Sequence, residues 1–152
     1  MGFKKSTSPK SKAKPKKPKR KTLGQLHKKL VTLVQKWSRI SRADDKGYVL
    51  CFTCGKVMHY KQAHGGHYVP KSIYATRYDK DNLRPQCAGC NIFRGGNLIT
   101  YRENLVAELG ERAVWSLEQH RKRSIDFTRE WLEVEITAYD REIRILEKGL
   151  PS

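Results

Sequence analysis

Apolar residues along this chain fall into four stripes of helical period around a central stretch that has none. Leu23, Leu26, Leu30, Leu33, Val34, Trp37 and Ile40 recur at intervals of three and four, which predicts an amphipathic helix from an N-cap at Thr22 to about Arg42. Its other face carries Lys28, Lys29, Lys36 and Arg39, which could extend a basic surface. Leu98, Ile99, Tyr101, Leu105, Val106 and Leu109 predict a second helix, closed by Gly110 and broken or kinked near its start by Gly95-Gly96. A third, over about 111–122, is expected to bury Val114, Trp115 and Leu117. The last spans about 127–148. Its Leu132, Ile136, Tyr139, Ile143, Leu146 and Leu150 follow a four-three-four-three-four spacing, a coiled-coil-like seam. Such a stripe serves core packing or a dimer interface, and the expectation here is a homodimer with that seam as its contact.

Between the stripes the period changes. Asp44-Asp45-Lys46-Gly47 is a turn leading into a short strand, Tyr48-Val49-Leu50. Residues 57–70 suit a twisted two-stranded unit around Gly65-Gly66, and residues 77–85, rich in charge and turn residues, read as loop. Residues 1–21 are almost wholly Lys, Ser and Pro, too poor in apolar surface to offset the entropy of ordering. The expected organisation is a disordered basic arm over 1–21, a helix and turn over 22–47, a core over 48–109, and C-terminal helices over 110–152. The fold class is mainly α with a small β-hairpin.

Charge sharpens the picture of the arm. The 152 residues include 32 Lys and Arg against 15 Asp and Glu, a net +17. Fifteen of the basic residues precede the first acid, Asp44, and the rest of the chain is close to neutral. A basic arm on a near-neutral body is attracted to a polyanion, and nucleic acid is the expected partner. Lys16, Lys17, Lys19, Arg20 and Lys21 are the expected phosphate contacts of the arm, with Lys71, Arg94 and Arg102 in the body. No apolar run is long enough to span a membrane, and the arm lacks the large apolar residues of an interfacial helix.

The candidate chemistry lies in the central stretch. The chain has four cysteines, arranged as Cys51-Phe52-Thr53-Cys54 and Cys87-Ala88-Gly89-Cys90. Two Cys-x-x-Cys knuckles supply the four soft ligands of a structural Zn²⁺. The competing readings, two disulfides or four unrelated thiols, suit a reducing compartment poorly, and the basic, polar N-terminus does not resemble a secretion signal. His67 lies between the knuckles and Asn91 directly follows the last cysteine. A neutral histidine can take a proton from water near physiological pH, and one divalent metal can stabilise a phosphodiester as it is cut. On that logic His67 is a general base, Asn91 at a helix start is a ligand to Mg²⁺ or Mn²⁺, Asn82 pins the loop or orients the imidazole, and Arg94 reaches a phosphate.

Cys-x-x-Cys, Gly66-His67-Tyr68-Val69-Pro70, Asn82-Leu83 and Cys-x-x-Cys-Asn together resemble the HNH (ββα-metal, His-Me finger) endonucleases. Residues 51–102, including Gly95-Gly96-Asn97 and Tyr101-Arg102, are closer still to the NinG family, to which the Rap recombination endonucleases of lambdoid phages belong. The order of cysteines, histidine and asparagine is similar to that of endonuclease VII, a resolvase of branched DNA. The resemblance implies a zinc-stapled ββα-metal nuclease core with flanking helices, acting on Holliday junctions or D-loops in phage-type recombination, in the bacterial host cytoplasm. It places His67 as base, Asn82 as the central asparagine, Asn91 as a ligand to the catalytic metal, and Cys51, Cys54, Cys87 and Cys90 on zinc. One position departs: many such enzymes carry an acidic ligand immediately before the base, and here it is Gly66. His64 is the first candidate to replace it, by way of a bulge at the two glycines; Asp79, Asp81 and Asn97 are the alternatives. The competing functions are a non-catalytic zinc module that binds nucleic acid and a less structure-specific HNH nuclease.

Removing residues 1–21 should weaken DNA binding and lower the slope of log affinity against log salt by about 0.9 for each phosphate that the arm neutralises. Anisotropy titrations across a salt series test this, and an unchanged slope rules out the role assigned to the arm.

Overall fold

The computed structural model describes residues 20–150. Most of the arm, with Lys16, Lys17 and Lys19, lies outside the described residues, while Arg20 and Lys21 are exposed. The protein is mainly helical with two small antiparallel sheets. Helix α1 runs Leu23–Ile40 behind a capping box: the Thr22 hydroxyl accepts from the Gln25 amide, and the Gln25 side chain accepts from the Thr22 amide. Helices α2 (Leu98–Leu109), α3 (Glu111–His120) and α4 (Arg129–Lys148) follow the predicted stripes. Thr128 caps α4 through the Trp131 amide.

The stripe on α4 is spent inside the chain. Leu132, Ile136 and Tyr139 pack with Leu26, Leu30 and Val34 of α1, and Ile143 joins Ile40 beside the cysteines. Ion pairs rivet the two helices: Lys29 to Asp140 at 2.9 Å and Lys36 to Glu147 at 2.6 Å. Both partners advance along the chain in the same sense, so α1 and α4 run parallel. Two expectations change as a result. The seam from Leu132 to Leu150 is covered by the protein's own first helix, so it is not a free dimer face. The polar side of α1 is not wholly available either, because Lys29 and Lys36 face carboxylates and Arg39 is bonded to the Gln35 and Ala63 carbonyls.

The central stretch forms two ribbons where one hairpin was expected. Strand β1 (Tyr48–Leu50) pairs with β2 (Val57–His59), and β3 (His64–His67) pairs with β4 (Leu83–Gln86). Gly65 and Gly66 are therefore paired strand residues, opposite Pro85 and Arg84, and the expected loop over 77–85 ends in a strand. Pro85 is tolerated because each strand of a two-stranded ribbon is an edge, where a missing N–H breaks no ladder. Its carbonyl accepts the Phe52 amide at 2.8 Å, tying the first knuckle to β4. Trp115, expected in the core, is exposed, while Val114 and Leu117 of α3 are buried. Val114 and Leu117 share the face of α3 that packs on α2 and the turn at Tyr74–Thr76, and Trp115, one residue beyond Val114, is rotated off it by about 100°.

Leu30 is fully buried on the α1–α4 seam. Leu30→Ala should lower unfolding stability by about 2–5 kcal/mol, with a matching drop in the urea midpoint. A change below about 1 kcal/mol would mean that the two helices do not hold the fold together.

Candidate functional site

The four cysteines converge from two loops. Cys51 and Cys54 follow β1, Cys87 and Cys90 follow β4, and their sulfurs all lie within 4.8 Å of one another, with none in a disulfide. Sulfurs held about 2.3 Å from a central Zn²⁺ in a tetrahedron stand roughly 3.8 Å apart. The Cys54 and Cys87 sulfurs are 3.8 Å apart. The cluster could therefore hold a metal such as zinc. Its electrostatics also call for a cation. At Cys51 burial opposes ionisation, but donors from Thr53 and the surrounding amides prevail and bring the thiol down to about 6. At Cys54 the Lys56 amide works to lower the thiol, yet desolvation and the three neighbouring sulfurs push it up to about 12. One thiolate forms readily in this cage, and a full set needs a dication at its centre.

Behind the second knuckle the chain makes a single π-helical turn, Gly89–Phe93, not the start of an α-helix. Asn91 sits in that turn, and its Nδ2 lies 3.1 Å from Nδ1 of His64 on β3. Adjacent ligands at about 2.1 Å around an octahedral ion stand roughly 3 Å apart. With its carboxamide turned over, Asn91 would present Oδ1 beside the His64 nitrogen, and the pair could supply two adjacent ligands to a divalent ion. The β3–β4 register runs without a bulge from His64–Gln86 to His67–Leu83, so His64 reaches Asn91 from a regular strand.

The glycine before His67 has a packing cause. A Cβ on Gly66 would stand 2.2 Å from Oε1 of Gln86, and one on Gly65 would stand 2.8 Å from the Gln35 backbone of α1. Gln86 cannot swing aside: it is fully buried, and its Nε2 donates to the Gly96 carbonyl at 2.7 Å and to the Thr53 hydroxyl at 3.1 Å. A carboxylate at position 66 is thus excluded by Gln86. The Tyr101 hydroxyl, on α2, donates to the Gly66 carbonyl at 3.0 Å and braces the same strand.

His67 points to the opposite face from His64 and Gly66, as strand alternation requires. Its Nε2 lies 3.1 Å from the Arg77 carbonyl. A carbonyl only accepts, so Nε2 carries the proton and Nδ1 keeps its lone pair. Burial, with the positive charges of Lys71 and Arg77 adding to it, pushes the imidazole down to about 4, against the carbonyl bond that favours protonation. Asn82 is fully buried and pins the intervening loop: its Oδ1 accepts the Val69 amide at 2.7 Å, and its Nδ2 donates to the carbonyls of Val69 and Thr76.

Near His67, a cleft of about 610 Å³ opens between α1 and the segment after β3. Lys28, Lys71 and Arg77 line it with Gln35, Tyr74 and His27, and no acid does. The other proposed contacts divide. Arg94 is exposed, whereas Arg102 is held by Glu118 at 2.8 Å and by Glu111, and so is committed to joining α2 and α3. Asp79 caps the turn at Asp81, and Asn97 takes a left-handed backbone, so neither stands with Asn91 and His64 among observed contacts. Gln86, Gln35 and the Arg77 carbonyl carry no sequence signature. The only hint of them is the glycine pair, which demands close neighbours without saying which.

Fold and site define a small, mainly helical protein with a four-cysteine metal-type knuckle packed against a strand that carries two histidines. The chain belongs to the NinG family: residues 3–149 match the family model described as Bacteriophage Lambda NinG protein. It is 34% identical over 74 residues to the protein ninG of Escherichia phage 933W, covering 48% of this chain and 36% of that relative. Over the same length and coverage it is 32% identical to the protein ninG of Escherichia phage lambda and 35% to that of Salmonella phage P22. The chain thus spans about a third of the length of these curated relatives. No solved structure matches it. Among the described residues no helix is long and apolar enough to cross a membrane.

Gly66→Asp should destabilise the fold by about 1–3 kcal/mol through overpacking against Gln86, and Gly66→Ala should do so as well, since its Cβ alone meets the carboxamide. A parent-like urea midpoint for either variant would contradict the packing cause given for Gly66.

Proposed function

We propose that the protein is a metal-dependent HNH-type DNA endonuclease that cuts branched recombination intermediates, such as Holliday junctions and D-loops, in the host cytoplasm. The observation that carries this reading is the meeting of His64 and Asn91 at 3.1 Å on a strand whose His67 is held as a neutral base. Zn²⁺ on the four cysteines would fix the second knuckle, and with it Asn91. Mg²⁺ or Mn²⁺ held by Asn91 and His64 would supply Lewis acidity to a phosphodiester oxygen and to the departing 3′ oxygen.

The chain's own residues perform the remaining steps. Nδ1 of His67 takes a proton from a water whose oxygen attacks phosphorus, and the phosphorus–O3′ bond breaks on the far side. Because His67 and His64 leave opposite faces of β3, the step requires the phosphate to reach both around the end of that strand. The Arg77 carbonyl keeps the ring aligned and stabilises the imidazolium that results, as a hydrogen-bond acceptor does for a charged donor. Asn82 acts one layer out, by holding the loop that presents this carbonyl. The acid-free cleft of Lys28, Lys71 and Arg77 supports a phosphate backbone passing beside His67. Symmetric cutting of a junction calls for two copies, so the working form is proposed as a homodimer that pairs through a surface other than the α4 seam.

Cleavage of a labelled four-way junction and a matched duplex, with Mg²⁺, Mn²⁺ or no added metal, tests the reading. The parent should cut the junction only with metal. His67→Ala and Asn91→Ala should each lower the rate at least about 100-fold while retaining binding, the scale of removing a general base. Binding without cutting in the parent would replace the reading with that of a non-catalytic zinc module. Because only neutral His67 is active and its pKa is lowered to about 4, the acid limb of the rate profile should fall well below the 6.5 of an ordinary histidine. A limb at or above 6.5 would remove His67 from the role of base.

A further inference from the structure

Just beyond Asn91 the surface changes character. Phe93 is 84% exposed, Ile99 79%, Ile92 56% and Leu98 44%, on either side of one tight reversal of the chain. The reversal is built from three consecutive positive-φ residues, Gly95 at 56°, Gly96 at 88° and Asn97 at 50°. It is anchored from within. The Gly96 amide donates to the Cys90 carbonyl at 2.9 Å, the Asn97 amide to the Arg94 carbonyl at 2.9 Å, and the Gly96 carbonyl accepts from buried Gln86. Large apolar side chains held in water on a braced loop mark a contact surface, and none of the core clusters among the described residues includes them.

The charge around the loop selects its partner. No acid occurs from Asn82 to Arg102, and exposed Arg94 stands among the four apolar residues without an ion pair among the described residues. An apolar patch with a guanidinium inside it suits stacked bases edged by phosphate, because the faces of bases are apolar and their backbone is anionic. The patch also begins at the residue after Asn91, so a strand placed at His64 and Asn91 brings its neighbouring bases against it. An intact duplex hides those faces in its stack, whereas a branch point offers them at the crossover.

We propose that Ile92, Phe93, Leu98 and Ile99 form a wedge that stacks on or inserts between unstacked bases at a DNA branch point, with Phe93 as its tip and Arg94 on the adjoining phosphate. The wedge rests on the nuclease reading for its ligand and adds the feature that would select branched over linear DNA. Apolar side chains driven between base steps are an established way for proteins to hold distorted DNA.

The test uses the full-length protein without added divalent metal, and a four-way junction with 2-aminopurine beside the crossover. The parent should raise its fluorescence on binding, as the base leaves its stack. Phe93→Ala should abolish that rise and weaken junction binding about tenfold, the scale of removing one base–aromatic stack, with linear-duplex affinity unchanged. Phe93→Trp should restore both signals, and Trp115→Ala, at an exposed site on α3, should change neither. Unaltered fluorescence and junction affinity in Phe93→Ala would overturn the wedge, as would an equal loss on duplex. If sedimentation showed a parent dimer that Phe93→Ala makes monomeric, the patch would be a protein interface and the wedge would fall. Metal-dependent cutting by the parent separates the two readings: where it persists in those cases, only the wedge is lost. Where the parent binds no DNA, the nuclease reading fails and the wedge with it.

Discussion

Strand β3 is pressed on both faces more closely than a methyl group permits. Gly65 admits the backbone of α1 at Gln35, and Gly66 admits the carboxamide of Gln86. That double approach lets a four-residue strand sit between α1 and the second knuckle, and it aims the two histidines at its ends in opposite directions. It also accounts for the missing carboxylate before His67. The space that an acidic side chain would take is filled by a glutamine whose amide group braces the loop after Asn91. Filling that space with side chain would move the strand away from its partners on one side or the other.

The cysteine cluster and the strand are coupled parts of one frame. The first knuckle is tied to β4 through the Phe52 amide and the Pro85 carbonyl, and to α2 through the Asn104 side chain and the Phe52 carbonyl at 2.6 Å. Arg84, buried on β4, pairs with Glu108 of α2 at 2.9 Å and caps the carbonyls of Lys80, Asp81 and Leu83. A buried guanidinium is tolerable only when its donors are satisfied, as they are here. Asn91 thus inherits its position from three elements at once: the knuckle, β4 and α2. The α1–α4 pair contributes differently. It supplies eight of the 21 buried apolar residues and one wall of the basic cleft.

Inside the body, Lys29 and Lys36 of α1, Arg84 of β4 and Arg102 of α2 are matched by carboxylates on α4, α2 and α3, and these pairs tie the elements together. Among the described residues, cations without a carboxylate partner include Lys28, Lys71 and Arg77 on the cleft and Arg94 on the loop after Asn91, while others, such as Lys56, Arg112 and Arg123, lie elsewhere on the body. An unmatched cation costs little in water and gains a partner only when a polyanion arrives. Counting Lys and Arg by composition therefore overstates the binding surface, as Arg102 illustrates.

By itself the sequence determined the features that depend on local spacing. Helices α1 to α4 follow from a 3.6-residue period and, for α1, from a cap at Thr22, and the four-sulfur cluster follows from two short Cys-x-x-Cys spacers. The basic bias of the N-terminal segment is composition alone. What only the tertiary structure decided depends on contacts between distant parts of the chain. The pairing of β3 with β4 was hidden because Gly65, Gly66 and Pro85 mimic turn residues when read locally. The α4 stripe could serve a partner or the chain itself, since an apolar seam records that it is covered and not by what. The meeting of His64 with Asn91, and of Gly66 with Gln86, arises from strand register and knuckle placement together. A glycine announces that something approaches closely, but only the folded chain supplies what does.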